Sequence, residues 1–192
     1  SDPEPYWDEN VVLSLSLSKI GLPALRTGII VADTRIIKAL SNINAVAALA
    51  PGSIGPALSG SLLRRGILTE TARTAVRPYY RKKSEFTQQL VHNFFAGGDY
   101  AVHTSEGAIF LWILMKDLTI TTMELYRILK ERGVFIMPGE FFFFGTAEDS
   151  SLPPVEQHPH YSKCIRFNYA RPDEEIERGI KIIAGIYKNN RK

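Results

Sequence analysis

Ser14-Leu15-Ser16-Leu17-Ser18-Lys19-Ile20-Gly21-Leu22-Pro23-Ala24-Leu25-Arg26-Thr27-Gly28 carries the fold and the chemistry of this 192-residue chain. Val11-Val12-Leu13 leads in as a strand. The alternation of leucine with serine then puts Ser14, Ser16 and Ser18 on one face and the leucines on the other, one face wet and one packed. A primary amine, small hydroxyl donors and a permanent cation fall within eleven residues, Ser16 to Arg26. That set suits a phosphorylated aldehyde, since the amine can condense with the carbonyl while serine hydroxyls and the planar guanidinium fork take the phosphate. Gly21 and Gly28 allow tight turns, and Pro23 stiffens the loop between them. On composition alone, a serine-rich strand ending in lysine equally describes an ordinary solvated surface.

Outward from this stretch, Gly28 to Ala32 reads as a second, buried strand, and Asp33 or Thr34 caps a helix in which Ile36, Ile37, Leu40, Ile43 and Val46 recur at helical spacing. Pro51-Gly52-Ser53-Ile54-Gly55-Pro56 breaks that helix; it lacks the Gly-Lys-Ser/Thr ending of a nucleotide P-loop, which rejects that reading. Ala57 to Phe95 is helical, with interruptions predicted near Gly66 and Pro78 and a stop at Gly97-Gly98. Such a connection suits a link between two domains.

Tyr100 to His103 and Ala108 to Ile113 read as strands around a Ser105-Glu106-Gly107 turn, opening a smaller α/β domain. Thr121 with Glu124 forms a capping box, Leu125 and Leu129 share a face, and Gly133 stops that helix. Val134 to Met137 is expected to be a short strand, and the four phenylalanines from Phe141 to Phe144 a buried apolar wall. Glu148 to His160 reads as a loop, in which His158-Pro159-His160 lacks a third ligand and gives no metal site. On the strand from Cys164 to Asn168, Arg166 points away from Ile165 and Phe167, into a site or into water. A last helix follows Pro172, with Asp173, Glu174 and Glu175 at its start, Lys188, Arg191 and Lys192 at its end, and Ile176, Ile180 and Ile183 inside.

Composition bounds the reading: 45% hydrophobic content fits a folded core, and 23 basic against 20 acidic residues leave +3, too little to indicate nucleic acid. The densest basic run, Arg77 to Lys83, fits the outer face of an amphipathic helix. The single cysteine, Cys164, excludes an internal disulfide and implies a reducing compartment. Ser1-Asp2-Pro3-Glu4-Pro5 is no signal peptide, and no apolar run reaches the ~20 residues a membrane span needs. These features predict a cytoplasmic protein with no membrane or nucleic-acid partner.

The segment Ser16-Leu17-Ser18-Lys19-Ile20-Gly21-Leu22-Pro23, with Arg26 seven residues after the lysine and Gly28 two beyond, resembles the lysine segment of the fold-type I (class I/II) aminotransferases that use pyridoxal 5'-phosphate. It is most like the branch that exchanges an amino group between valine and pyruvate. The resemblance runs on through Leu49-Ala50-Pro51-Gly52, Ile54-Gly55-Pro56-Ala57, Glu106-Gly107-Ala108-Ile109-Phe110-Leu111-Trp112, Arg132-Gly133-Val134 and Pro138-Gly139 to Cys164-Ile165-Arg166-Phe167-Asn168-Tyr169.

The resemblance implies an α/β fold in which this chain is the C-terminal half of a longer enzyme. Residues 1–75 would end the large cofactor-binding domain, 76–96 would form the connecting helix and 97–192 the small α/β domain. It implies that Lys19 is the catalytic, Schiff-base lysine, that Ser16, Ser18, Lys19 and Arg26 bind the cofactor, and that Arg166 grips the substrate α-carboxylate. It also implies that Ser53 touches the cofactor across a homodimer. The implied reaction is transamination between an aliphatic amino acid of valine or alanine type and a 2-oxo acid such as pyruvate, with the Phe141 to Phe144 loop lining the pocket. The family's first half supplies the helix under the phosphate, the stacked ring and the aspartate at the pyridine nitrogen, and none of these can be located here. The other readings are a non-catalytic fragment or interaction module of an aminotransferase-like protein, and a lyase using the same cofactor.

Overall fold

The structure is a computed structural model that describes residues 6–48, 52–144 and 154–192. It divides into two compact units, one running to Tyr79 and one from Tyr80 onward.

The first unit opens with an antiparallel ribbon, β1 (Leu13–Ser16) against β2 (Gly28–Val31), pairing Leu13 with Val31 and Ser16 with Gly28. The leucine–serine alternation ends at Ser16. There the hydroxyl accepts the Ser18 amide at 3.3 Å and the chain tightens into a 3-10 turn over Leu17–Lys19, which removes Ser18 from the strand. The expected division into wet and packed faces is not realised, because Leu15 is exposed along with Ser14 and Ser16. Nor is β2 the buried strand predicted; Gly28, Ile30 and Val31 are all exposed. Leu17, in the turn itself, is buried.

Asp33 starts α1 (Thr34–Ala48): its carboxylate accepts the Arg35 amide at 2.9 Å and its carbonyl accepts the Ile37 amide at 3.0 Å. The stripe Ile36, Ile37, Leu40, Ile43 and Val46 meets no core among the described residues. The helix buries nothing, and Val46 is 82% exposed. Capping and helical propensity form α1, and its apolar face is left over. Leu49-Ala50-Pro51, part of the expected break, lies outside the described residues.

After α2 (Ile54–Arg64), a left-handed Gly66 leads into α3 (Ile67–Thr71), a π-helical turn over Ala72–Val76, and α4 (Arg77–Phe94). The interruption at Gly66 is present, but the chain passes helically through Pro78. The wider turn before it lets the Arg77 amide reach the Ala72 carbonyl five residues back, which accommodates a ring that cannot donate.

In the second unit β3 (Tyr100–Val102), β4 (Phe110–Met115), β5 (Met137–Pro138) and β6 (Cys164–Asn168) form an antiparallel sheet in the order β3-β4-β6-β5. The strand predicted from Val134 shrinks to two residues. Val134 and Ile136 enter the core from irregular chain, and Pro138 has no N–H with which to prolong the pairing. On α5 (Thr122–Glu131) both halves of the Thr121/Glu124 capping box are made, and Leu125 and Leu129 are fully buried. α6 (Asp173–Asn189) buries Ile176, Ile180 and Ile183.

Alternation decides what the sheet offers. Leu111, Ile113 and Met115 of β4 join Ile165 and Phe167 of β6 in the core with α5 and α6, while Phe110, Trp112 and Arg166 belong to the opposite face. Lys83 fastens α4 to the start of α6, donating to the Arg171 carbonyl at 2.6 Å and to the Asp173 carboxylate at 2.5 Å.

Candidate active site

Lys19 is the last residue of the first 3-10 turn and is exposed. Two backbone bonds fold the loop around it: the Leu17 amide donates to the Thr27 carbonyl, and the Leu22 amide to the Leu17 carbonyl, each at 3.2 Å. A second 3-10 turn, Pro23–Leu25, ends on Arg26, whose backbone is left-handed at φ 47 and ψ 41 and whose amide donates back to Pro23. Ser16, Ser18, Lys19 and Arg26 thus share one loop of the first unit. The side chains of Lys19 and Arg26 form no ion pair or hydrogen bond with another described residue, and Ser16, which only accepts from Ser18, keeps its own proton to donate. An amine, two hydroxyls and a guanidinium whose donor protons are uncommitted are the set that an aldehyde bearing a phosphate monoester requires, so these residues fit that group.

The start of α2 is seated against the same loop. A Cβ added to Gly55 would lie 2.2 Å from Thr27 Oγ1 and 2.4 Å from the Leu25 carbonyl oxygen, on either side of Arg26 in sequence. Thr27 Oγ1 in turn donates to that carbonyl at 2.8 Å. Ser53 is exposed just before α2, and its side chain makes no capping bond.

Arg166 is in the second unit, on β6, opposite Trp112 of β4 and Met137 of β5. Ile165 and Phe167 are buried on the core side, and the guanidinium opens on a cavity of about 260 Å³ lined by His103, Ser105, Glu106, Phe110 and Trp112. Its Cζ lies 4.3 Å from the centre of the Phe110 ring and 4.7 Å from that of Phe142, and Phe142 meets Trp112 edge-on at 5.3 Å. Arg166 therefore has aromatic neighbours and no described hydrogen-bond acceptor.

The phenylalanine block is not the buried wall its sequence predicts. Phe141 is exposed because it sits in the 3-10 turn Gly139–Phe142, whose side chains radiate, and Phe144, beyond that turn, is 86% exposed. Phe142 joins Arg166, while Phe143 packs on His158 at 5.0 Å and on Tyr161 at 5.8 Å. His158 meets the His160 ring at 5.2 Å. Cys164 is buried beside Trp112, and burial pushes its thiol up to about 11. The first part of the expected Glu148 to His160 loop lies outside the described residues.

Reasoning from sequence missed the company Arg166 keeps. The spacing of Phe110 and Trp112 placed both on one strand face and could have been used. The contribution of Phe142 depends on tertiary contacts with Arg166 and Trp112, and the Glu140 carboxylate in the same turn bonds across 17 and 18 residues, for which no local pattern exists.

A family model described as aminotransferase class I and II matches residues 3–183. The valine–pyruvate aminotransferase of Escherichia coli (strain K12) is 41% identical over 184 residues, covering 96% of this chain and 42% of that protein. The crystal structure of a putative amino-acid aminotransferase from Psychrobacter arcticum superposes with a TM-score of 0.87 at 38% identity, over 99% of this chain and 42% of that one. Valine–pyruvate aminotransferase from Salmonella typhimurium gives 0.84 at 39% identity, over 98% and 47%. The chain thus spans less than half the length of these relatives. Among the described residues no helix is long and apolar enough to cross a membrane.

Proposed function

The chain belongs to the class I and II aminotransferase family, and on that premise we propose that it supplies the lysine, the phosphate-binding donors and the carboxylate-binding arginine of a pyridoxal-phosphate-dependent transamination. The amino group would pass between an aliphatic amino acid of valine or alanine type and a 2-oxo acid such as pyruvate. The proposal extends to a complete enzyme that is cytoplasmic and homodimeric. The observation that carries it is the loop that gathers Ser16, Ser18, Lys19 and Arg26 with their donors uncommitted.

Pyridoxal phosphate, when bound, supplies an electron sink for the charge that develops at the substrate α-carbon. Lys19 would anchor the aldehyde end through Nζ and then, as general base, move the proton at that carbon. Arg26 would neutralise the phosphate while Ser16 and Ser18 donate to its oxygens, which fixes the far end of the ligand. Arg166 would take the substrate carboxylate in a two-pronged bond and so orient the α-proton.

Borohydride reduction of the 192-residue chain after incubation with pyridoxal phosphate, followed by peptide mass mapping, tests the reading without an activity assay. The cofactor mass is expected on the peptide containing Lys19. A label on another lysine, or on none in the full-length protein, would overturn the assignment.

A further inference from the structure

The turn that delivers Phe142 to Arg166 is fixed from two sides. At one end Gly139 lies against β6 so closely that a Cβ would fall 2.5 Å from the Cys164 carbonyl oxygen. At the next residue the Glu140 carboxylate reaches the start of α5, where Oε2 accepts the Thr122 hydroxyl at 2.6 Å and Oε1 accepts the Met123 amide at 3.2 Å. Thr122 is fully buried, and an anion at a helix N-terminus satisfies amides that the helix cannot. Two residues on, the Phe142 ring meets the Arg166 guanidinium at 4.7 Å and braces its far side edge-on against Trp112. Phe110 contributes the second ring.

We infer that Glu140 is a positioning residue: through the turn Gly139–Phe142 it holds the Phe142 ring on the Arg166 guanidinium and thereby fixes the direction in which that group offers its donors. The inference rests on the proposed reading of Arg166 as the carboxylate site, and it explains how an arginine with no described acceptor is kept from swinging into solvent. A long side chain loses rotamer freedom when it binds, so two rings that restrict it beforehand reduce the cost of each bond to a carboxylate. Both rings lie within cation–π reach of Cζ, and with no described acceptor the N–H groups remain for a ligand in the cavity.

The experiment is NMR on the 15N-labelled 192-residue chain, following the Arg166 side-chain Nε–Hε signal, with pyruvate as the probe. The wild-type signal is expected to be displaced upfield by the ring currents. Phe142→Leu should abolish the Phe142 part of that displacement, Phe142→Tyr should keep it, and Glu140→Gln and Thr122→Val should each reduce it with the α6 amide spectrum unchanged. Pyruvate should bind roughly two- to fivefold more weakly in Phe142→Leu, the range of one exposed cation–π contact, and recover in Phe142→Tyr. An Arg166 signal that does not move in Glu140→Gln and Thr122→Val overturns the inference. If the signal follows these variants but pyruvate leaves the wild-type signal unmoved, the carboxylate reading of Arg166 fails while the positioning by Glu140 is upheld.

Discussion

Tyr169 donates its phenol proton to the backbone carbonyl of Ala108 across 2.9 Å, and Ala108 is one of two non-glycine residues among those described with a positive φ, at 61°. The bond holds a strained turn at the edge of the cavity in front of Arg166, since Ser105 to Gly107 lead directly into it. Tyr169→Phe removes the donor while keeping the buried ring. It should cost about 1–3 kcal/mol, the penalty of an unpaired partly buried carbonyl, read as a lower urea midpoint at unchanged slope.

Gly55→Ala tests the seat beneath the Lys19 loop. The added methyl meets a backbone oxygen at Leu25, which cannot rotate away as the Thr27 hydroxyl can. The loop must shift, at a cost of about 1–3 kcal/mol for overpacking. The expected outcome is a lower melting temperature together with less reductive labelling of Lys19 by pyridoxal phosphate; labelling equal to wild type would show the loop to be independent of α2.

Arg166→Lys keeps the charge and loses the fork. A carboxylate that exchanges two charged bonds for one loses about 1.5–3 kcal/mol, so pyruvate affinity measured by NMR titration should fall at least about tenfold. A change below twofold would remove Arg166 from the carboxylate site.

Cys164 predicts a pH dependence with a definite sign. Its thiol is raised from an ordinary value of 9.0 to about 11 by burial, so between those limits the unfolded chain releases a proton that the folded chain retains. Stability from this group is complete below pH 9.0 and declines as pH rises towards about 11. The slope is up to about 1.4 kcal/mol per pH unit. Denaturation of Cys164→Ala over the same range should lack this slope relative to wild type.

Thr121→Ala removes one half of a capping box whose two bonds, at 3.1 Å and 2.8 Å, close the start of α5. A loss of about 1 kcal/mol is expected from the thermal midpoint.

What could be read in the sequence was what is local. Thr121 with Glu124, Asp33 before α1 and the isoleucines of α6 announce themselves because cap and stripe lie within one or two turns of each other. The second unit follows these signals, since each apolar stripe there finds a partner. In the first unit the same signals form α1 but leave Ile43 and Val46 uncovered, because burial depends on what packs against a face and not on the face. Ser18 left its strand for a still shorter-range reason: the Ser16 hydroxyl competes for its amide. The chemistry-bearing residues of the Lys19 loop were visible as a cluster, whereas Phe142 and Glu140 reach Arg166 and α5 through tertiary contacts alone.

Under its proposed role at the cofactor phosphate, Arg26 carries two obligations that no single replacement meets. Its backbone occupies the left-handed region where glycine or asparagine is most at ease, yet neither brings a cation, and lysine restores the charge with neither the fork nor the ease. In a saturation library, variants at this codon should therefore separate along two uncorrelated axes, fold yield and cofactor retention, with arginine alone at the favourable corner.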